Sequence, residues 1–253
     1  MTVPRILIIA GSDSGGGAGI QADIRTVTML GGHAMTAITA ITAQNTLGVQ
    51  AVHPVPAAMV LAQMDSVISD IGADAVKIGM IGSAETAEAV ADRLATLNGV
   101  PVIFDPVMVA TSGSALADTA TVAAFERLMA IATLVTPNIP ELAALGGAAI
   151  AARFETHVLA KGGHGEGAML TDTLIGPYGI VAAWTDPRID TPHTHGTGCT
   201  LASAIATCLC QGPGLVPAIE SARQYVRASL ESAPGLGAGH GPMGVPRGFL
   251  ANA

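Results

Sequence analysis

Hydrophobic positions along this chain follow two rhythms that alternate. Residues 5–10 are a short Ile-rich apolar run closed by Gly11, the pattern of a strand buried on both faces in a parallel sheet. From 21 to 30, Ile24, Val27 and Leu30 recur at helical spacing, and residues 33–43 return to a strand pattern rich in Ile and Thr. The same order then repeats. Residues 56–71 predict a helix, 75–80 a strand, 83–97 a helix capped by Ser83, and 100–105 a strand. A helix over 119–131, a strand at 134–136, a short helix after Pro140, strands around 158–161 and 168–171 and a final pair of helices complete the pattern. Alternation of this kind predicts an α/β fold, a mostly parallel sheet with helices on both faces, whose ligands bind outside the carboxyl ends of the strands.

Composition narrows the class. The 253 residues suit one large α/β domain, and no Pro/Gly/Ser linker or charge run divides them. Half the residues are hydrophobic and 12% are charged, yet Gln63, Asp65 and Asp70 and their like interrupt each apolar stretch before it reaches membrane-spanning length. A formal net charge of −8, with the few basic residues scattered, argues against a nucleic-acid partner. Cys199, Cys208 and Cys210 are too few for a disulfide framework and lack zinc-knuckle spacing. Residues 1–5 lead into a strand pattern without a signal peptide's apolar region. A cytoplasmic protein, with no membrane partner, is the expectation.

The candidate chemistry sits where strands end. Thr194-His195-Gly196-Thr197-Gly198-Cys199-Thr200 places two glycines and a thiol before an apolar helical run. Bent backbone can aim several N–H groups at one spot there, where the helix dipole favours a phosphate or a developing oxyanion. The same field would favour the Cys199 thiolate. The alternative is a glycine turn capping a buried helix, with Cys199 as a small core residue. The stretch from Gly11 to Gly19 is glycine-rich but carries no Lys-Ser/Thr pair, so it is no Walker loop. The next strand ends in Gln44 and Asn45 rather than an acid, which weakens a dinucleotide reading. A loop open to a small flat ligand remains, with Asp23 on the following helix in reach.

Gln44 offers an amide donor and acceptor at a strand end, the pairing an aminopyrimidine edge needs. Met80 and Val107 also lie at strand ends and could wall a flat ring. Asp105, Asn138 and Glu141 supply oxygens suited to Mg²⁺, an ion usually held by one or two carboxylates and substrate phosphates; Glu141 equally fits a dipole-favoured first turn. Lys161 precedes a Gly-Gly turn and suits either a phosphate contact or an ordinary hairpin. His193 and His195 flank the second glycine loop, but a Cys–His nucleophile pair would leave the Asn138/Glu141 pair and the first glycine loop unexplained.

Together, the segments 11–23, 41–45, 77–80, 105–108, 136–141, 161–164 and 195–199 resemble the hydroxymethylpyrimidine/phosphomethylpyrimidine kinases of thiamin biosynthesis, in unbroken order from about Arg5 to Gly241. The resemblance implies a ribokinase-like three-layer sandwich. It also implies ATP- and Mg²⁺-dependent phosphorylation of 4-amino-5-hydroxymethyl-2-methylpyrimidine and of its monophosphate. Gln44, Gly11, Asp23, Met80 and Val107 would meet the pyrimidine. Asn138, Lys161, Gly196 and Gly198 would meet ATP phosphates, and Glu141, Asn138 and Asp105 the metal through water. Gly196, Thr197, Gly198 and Cys199 would carry the catalysis, with Cys199 as general base. A homodimer is likewise implied. The interval 145–156 is shorter than the family pattern, which has an additional helix there. A pyridoxal or pyridoxine kinase is the neighbouring enzyme class, and a non-catalytic pyrimidine-binding regulator the alternative from another class.

Overall fold

The computed structural model describes residues 2–110, 113–164, 167–212 and 214–246. Among the described residues, nine strands form one sheet in the order β3-β2-β1-β4-β5-β6-β7-β8-β9. At its centre lies β1 (Arg5–Asp13), whose Ile6 to Ala10 are fully buried, as an apolar run with helices on both sides requires. β2 (His33–Asn45) and β4 (Ala75–Ile78) pair with it in parallel on opposite sides, and β5 (Val102–Phe104), β6 (Leu134–Val135) and β7 (His157–Ala160) continue the parallel set. Both margins turn antiparallel: β3 (Gly48–Pro54) beside β2, and the hairpin β8 (Met169–Gly176) and β9 (Gly179–Pro187) beside β7.

Helices cover both faces. On one side α2 (Ala57–Asp70), α3 (Ala84–Leu94) and α4 (Thr119–Met129) bury Val60, Met64, Val90, Leu94, Phe125 and Leu128 against β1, β4 and β5, with Phe104 and Phe125 in edge-to-face contact at 5.1 Å. On the other, α1 (Gly19–Met29), α7 (Thr197–Gln211) and α8 (Leu215–Glu231) bury Val27, Leu201, Ile205, Ile219 and Tyr225. Ser83 caps α3 through the Thr86 N–H, as the sequence predicts, and Asp118 caps α4 through that of Thr121. Short helices α5 (Ile139–Ala144) and α6 (Ala149–Arg153) stand between β6 and β7, so a single turn occupies the shortened interval at 145–156.

Two strands are absent from the sequence reading. In β3 every residue is half-buried or exposed and Gln50 and His53 break its apolar pattern, whereas β9 carries an apolar run from Ile180 to Trp184 that is nonetheless half-buried or exposed at an edge. Arg223 on α8 fixes the β8–β9 hairpin by reaching Asp172 and Asp186, each at 2.7 Å. After α8 the chain returns across the carboxyl ends of the strands: Gly239 N donates to Thr46 Oγ1 and His195 N to Gly241 O, with His195 bridged to Pro242. No helix among the described residues is long and apolar enough to cross a membrane.

Candidate active site

All the parallel strands except β4 deliver a polar residue at the carboxyl end, and the N-terminus of α7 lies among them. Gly196 takes a φ of +90°, and a Cβ there would stand 2.0 Å from the carbonyl oxygen of Gly17. Only glycine lets the two glycine loops touch backbone to backbone. The Gly19 N–H favours the charged form of the Cys199 sulfur, so the loop after β1 also bears on the thiol. At Gly198 a Cβ would lie 3.2 Å from Asp105 Oδ2 and 3.4 Å from Lys161 Nζ, which places the ends of β5 and β7 against the first turn of α7.

The side toward β5–β7 is charged. Lys161 Nζ donates to Asp105 Oδ1 at 2.9 Å, and Thr136 Oγ1 donates to the same oxygen at 3.0 Å. Burial opposes the charge on Lys161, but Asp105 and Glu141 outweigh it and hold the ammonium above its usual range. Burial raises the Glu141 carboxyl and Asp105 adds to this, against Lys161 and the N–H groups of Asn138 and Met108. Asn138 and Glu141 form a reciprocal capping box at the start of α5: Glu141 N donates to Asn138 Oδ1 and Asn138 N to Glu141 Oε2. The Asn138 oxygen is thus engaged as a helix cap. Among the described residues no three His, Cys, Asp or Glu side chains come together to hold a metal directly. The donors fit a cation carried by ligand phosphates and met through water by Asp105 and Glu141.

The side toward β1 and β2 is hydrogen-bonded rather than charged outward. Gly11 and Met80 lie against each other, since a Cβ on Gly11 would meet Met80 Cε at 2.3 Å. Val107 and Gln44 are half-buried at their strand ends. Gln44 Nε2 lies 3.3 Å from His195 Nε2, which lies 2.9 Å from Asp13 Oδ2. Burial opposes the Asp13 charge, but His195 and the N–H groups of Ala18 and Gly15 outweigh it and hold the carboxyl below its usual range.

Two expectations are corrected here. Asp23 is fully buried, and its carboxylate meets Lys77 Nζ at 2.8 and 3.0 Å and Ser203 Oγ at 2.7 Å, so it braces α1, β4 and α7 instead of facing the pocket. The Cys199 thiol is not held as a thiolate. Burial pushes it up to about 11, and the attraction of Lys77 and the Gly19 N–H fails to offset this while Asp23 and Asp105 add repulsion. Sequence reasoning passed over Asp13 and Lys77. A single lysine inside the apolar run of β4 was the available signal, because a buried cation demands a buried partner.

The sequence pattern of the phosphomethylpyrimidine kinase family matches residues 13–244. The chain belongs to that family. It is 48% identical over 252 residues to the thiamine biosynthesis bifunctional protein of Geobacter sulfurreducens, aligning 94% of this chain but spanning only 51% of that protein. It spans 35% of the multifunctional relative from Corynebacterium efficiens. To the hydroxymethylpyrimidine/phosphomethylpyrimidine kinase of Rhizobium meliloti it is 47% identical, with 94% of this chain and 95% of that protein aligned. Among solved structures, an ADP complex of Bacillus subtilis pyridoxal kinase superimposes with a TM-score of 0.85 at 30% identity, covering 96% of this chain and 97% of that one. Phosphomethylpyrimidine kinase from Clostridium difficile gives 0.74 at 34% identity, covering 89% and 98%. The α/β architecture is therefore the ribokinase-like one shared by these family members.

Proposed function

We propose that this chain transfers the γ-phosphoryl group of ATP to the hydroxymethyl oxygen of 4-amino-5-hydroxymethyl-2-methylpyrimidine, and then a second one to the resulting monophosphate. The observation that carries the reading is the first turn of α7, which lies between a hydrogen-bonding side holding Gln44 and a charged side holding Lys161 and Asp105. A phosphoryl group in transit has that arrangement on either hand: a neutral alcohol to receive it and cations facing its phosphates.

The division of labour follows from these positions. Gln44 reads the pyrimidine edge, while Gly11, Met80 and Val107 bound the ring. The N–H groups of Gly196, Thr197, Gly198 and Cys199 donate to the transferring group as its charge spreads over the equatorial oxygens. Lys161 holds the phosphates, and the Asn138–Glu141 cap fixes the loop beside them. Mg²⁺, when bound, offsets charge between the β- and γ-phosphates and would be met by Asp105 and Glu141 through water. Cys199 takes the proton of the attacking hydroxyl. Its elevated thiol pKa makes the thiolate scarce at neutral pH, so positioning of the two substrates supplies most of the rate.

Pyridoxal is the rival acceptor, since the pyridoxal kinases superimpose with higher TM-scores. The side chains favour the pyrimidine, with 40–47% identity to the hydroxymethylpyrimidine kinases of Haemophilus influenzae and Rhizobium meliloti against 30% to the pyridoxal kinase. A cytoplasmic homodimer completes the reading. Coupled ADP release with the pyrimidine alcohol, its monophosphate and pyridoxal tests it. The expected result is the highest kcat/KM on the pyrimidine substrates; preference for pyridoxal, or no ADP release, would overturn it.

A further inference from the structure

His195 and Asp13 stand outside the catalytic roles above, yet their geometry determines how Gln44 is presented. Asp13 is saturated with donors: Gly15 N reaches Oδ1 at 2.8 Å, and Gly17 N and Ala18 N reach Oδ2 at 3.0 and 2.8 Å. A carboxylate so served is ionised, and His195 Nε2 at 2.9 Å from Oδ2 must therefore carry a proton, since a bare nitrogen would set lone pair against lone pair. That proton decides the neighbouring amide. Gln44 Nε2 stands 3.3 Å from the same Nε2 with Oε1 toward Thr42, which sets N–H against N–H; turning the amide over instead lets its oxygen share the proton that His195 gives Asp13.

The other end of the amide is compatible with this orientation. The Thr42 hydroxyl has one proton and two acceptors within reach, Ser12 O at 3.0 Å and the far end of Gln44 at 3.2 Å. Donated to the Ser12 carbonyl at the shorter distance, it leaves Thr42 Oγ1 to accept from Gln44 NH₂. The His195 flank thus favours the amide with its oxygen toward the imidazole, and the Thr42 flank accommodates its nitrogen. Each end keeps one further site, an acceptor lone pair beside an N–H, matching the amino N–H and ring nitrogen of a 4-aminopyrimidine.

We infer that Asp13 and His195 are positioning residues that lock the Gln44 amide in one orientation, and so make the enzyme select a 4-aminopyrimidine over its 4-oxo counterpart. This deepens the proposed function and rests on its assignment of Gln44 to the pyrimidine. The 4-oxo ring offers the reverse pattern, a carbonyl beside a ring N–H, which a locked amide meets donor to donor. An amide free to turn over would accept either ring.

The test pairs His195→Leu with His195→Gln, whose amide N–H can take the place of the Nε2–H. Kinetics with the 4-amino and 4-oxo alcohols should show His195→Leu losing at least about tenfold of the wild-type discrimination, through KM with kcat nearly kept. His195→Gln should restore most of it. A folded His195→Leu protein that keeps the wild-type ratio, or one that loses kcat and leaves the ratio unchanged, would overturn the inference. Side-chain amide NMR on the ligand-free wild type reads the lock without any substrate. NOEs from the Gln44 NH₂ protons to the Thr42 methyl support it, and NOEs to the His195 ring refute it. Absence of turnover on both pyrimidines with Thr42 NOEs present would instead overturn the proposed function and leave the lock standing.

Discussion

Two lysine–aspartate pairs of the same chemistry and nearly the same length lie at the carboxyl ends of the strands. Lys77–Asp23 joins at 2.8 Å with both side chains fully buried; Lys161–Asp105 joins at 2.9 Å with the lysine side chain 15% exposed. The first has no outlet: Ser203 takes a remaining lone pair of Asp23, and α1, β4 and α7 close around it. The second sits against Gly198 with Glu141 and Thr136 nearby, and its lysine side chain keeps some exposure. An enclosed pair fixes three elements in register. A pair with one open flank can exchange its partner for a phosphate. Burial, more than residue type or spacing, separates architecture from chemistry here.

The comparison breaks most visibly at Lys77. Lys77→Ala leaves the Asp23 carboxylate buried without a counter-ion and should cost about 3–5 kcal/mol in urea denaturation. Replacing both partners, as in Lys77→Met with Asp23→Leu, should recover most of that loss, and a double variant no better than the single would deny the pair its structural role. Cys199 lies within electrostatic reach of both lysines. Cys199→Ala should lower kcat by about 10²–10⁴ with pyrimidine affinity unchanged. Turnover close to wild type would remove the thiol from the reaction.

The sign of the pH dependence follows from the thiol at about 11. The base is the deprotonated form, so its fraction rises by about tenfold per pH unit below that value, and kcat/KM should climb through the neutral range. Cys199→Asp should level the profile above the acid range. Lys161→Ala should leave stability much closer to wild type than Lys77→Ala does, while raising the KM for ATP about tenfold; an equal loss of stability in the two would erase the distinction drawn between the pairs. The smallest effect is expected at the cap of α5, where Asn138→Ala should cost about 1 kcal/mol by thermal melting.

The central strands and the helices around them were legible because burial on two faces leaves long apolar runs, as in residues 5–10, and because Ser83 announces a helix start. The margins were not. β3 and β9 are held by pairing along one edge; in β3 that leaves little trace in hydrophobicity, and in β9 the apolar run from Ile180 to Trp184 went unread. In the site, both glycine loops, the Gly11–Met80 contact and the neighbourhood of Asp105, Glu141 and Lys161 follow from motif order. The burial of Asp23 and the neutrality of the Cys199 thiol do not, since each depends on what packs around it from distant segments. His195 was visible beside its glycine. Its partnership with Asp13 spans 182 residues of chain and becomes evident only on folding.

That span bears on how the protein comes into being. The proposed substrate side draws together Asp13, Gln44 and His195, with Gly241 and Pro242 securing His195. A polypeptide emerging from the ribosome can pair its strands before residues 241 and 242 are made, yet lacks the proposed selective pocket until they are. Chains cut short of residue 241 should therefore lose the proposed discrimination between the two pyrimidines, however well their cores have formed.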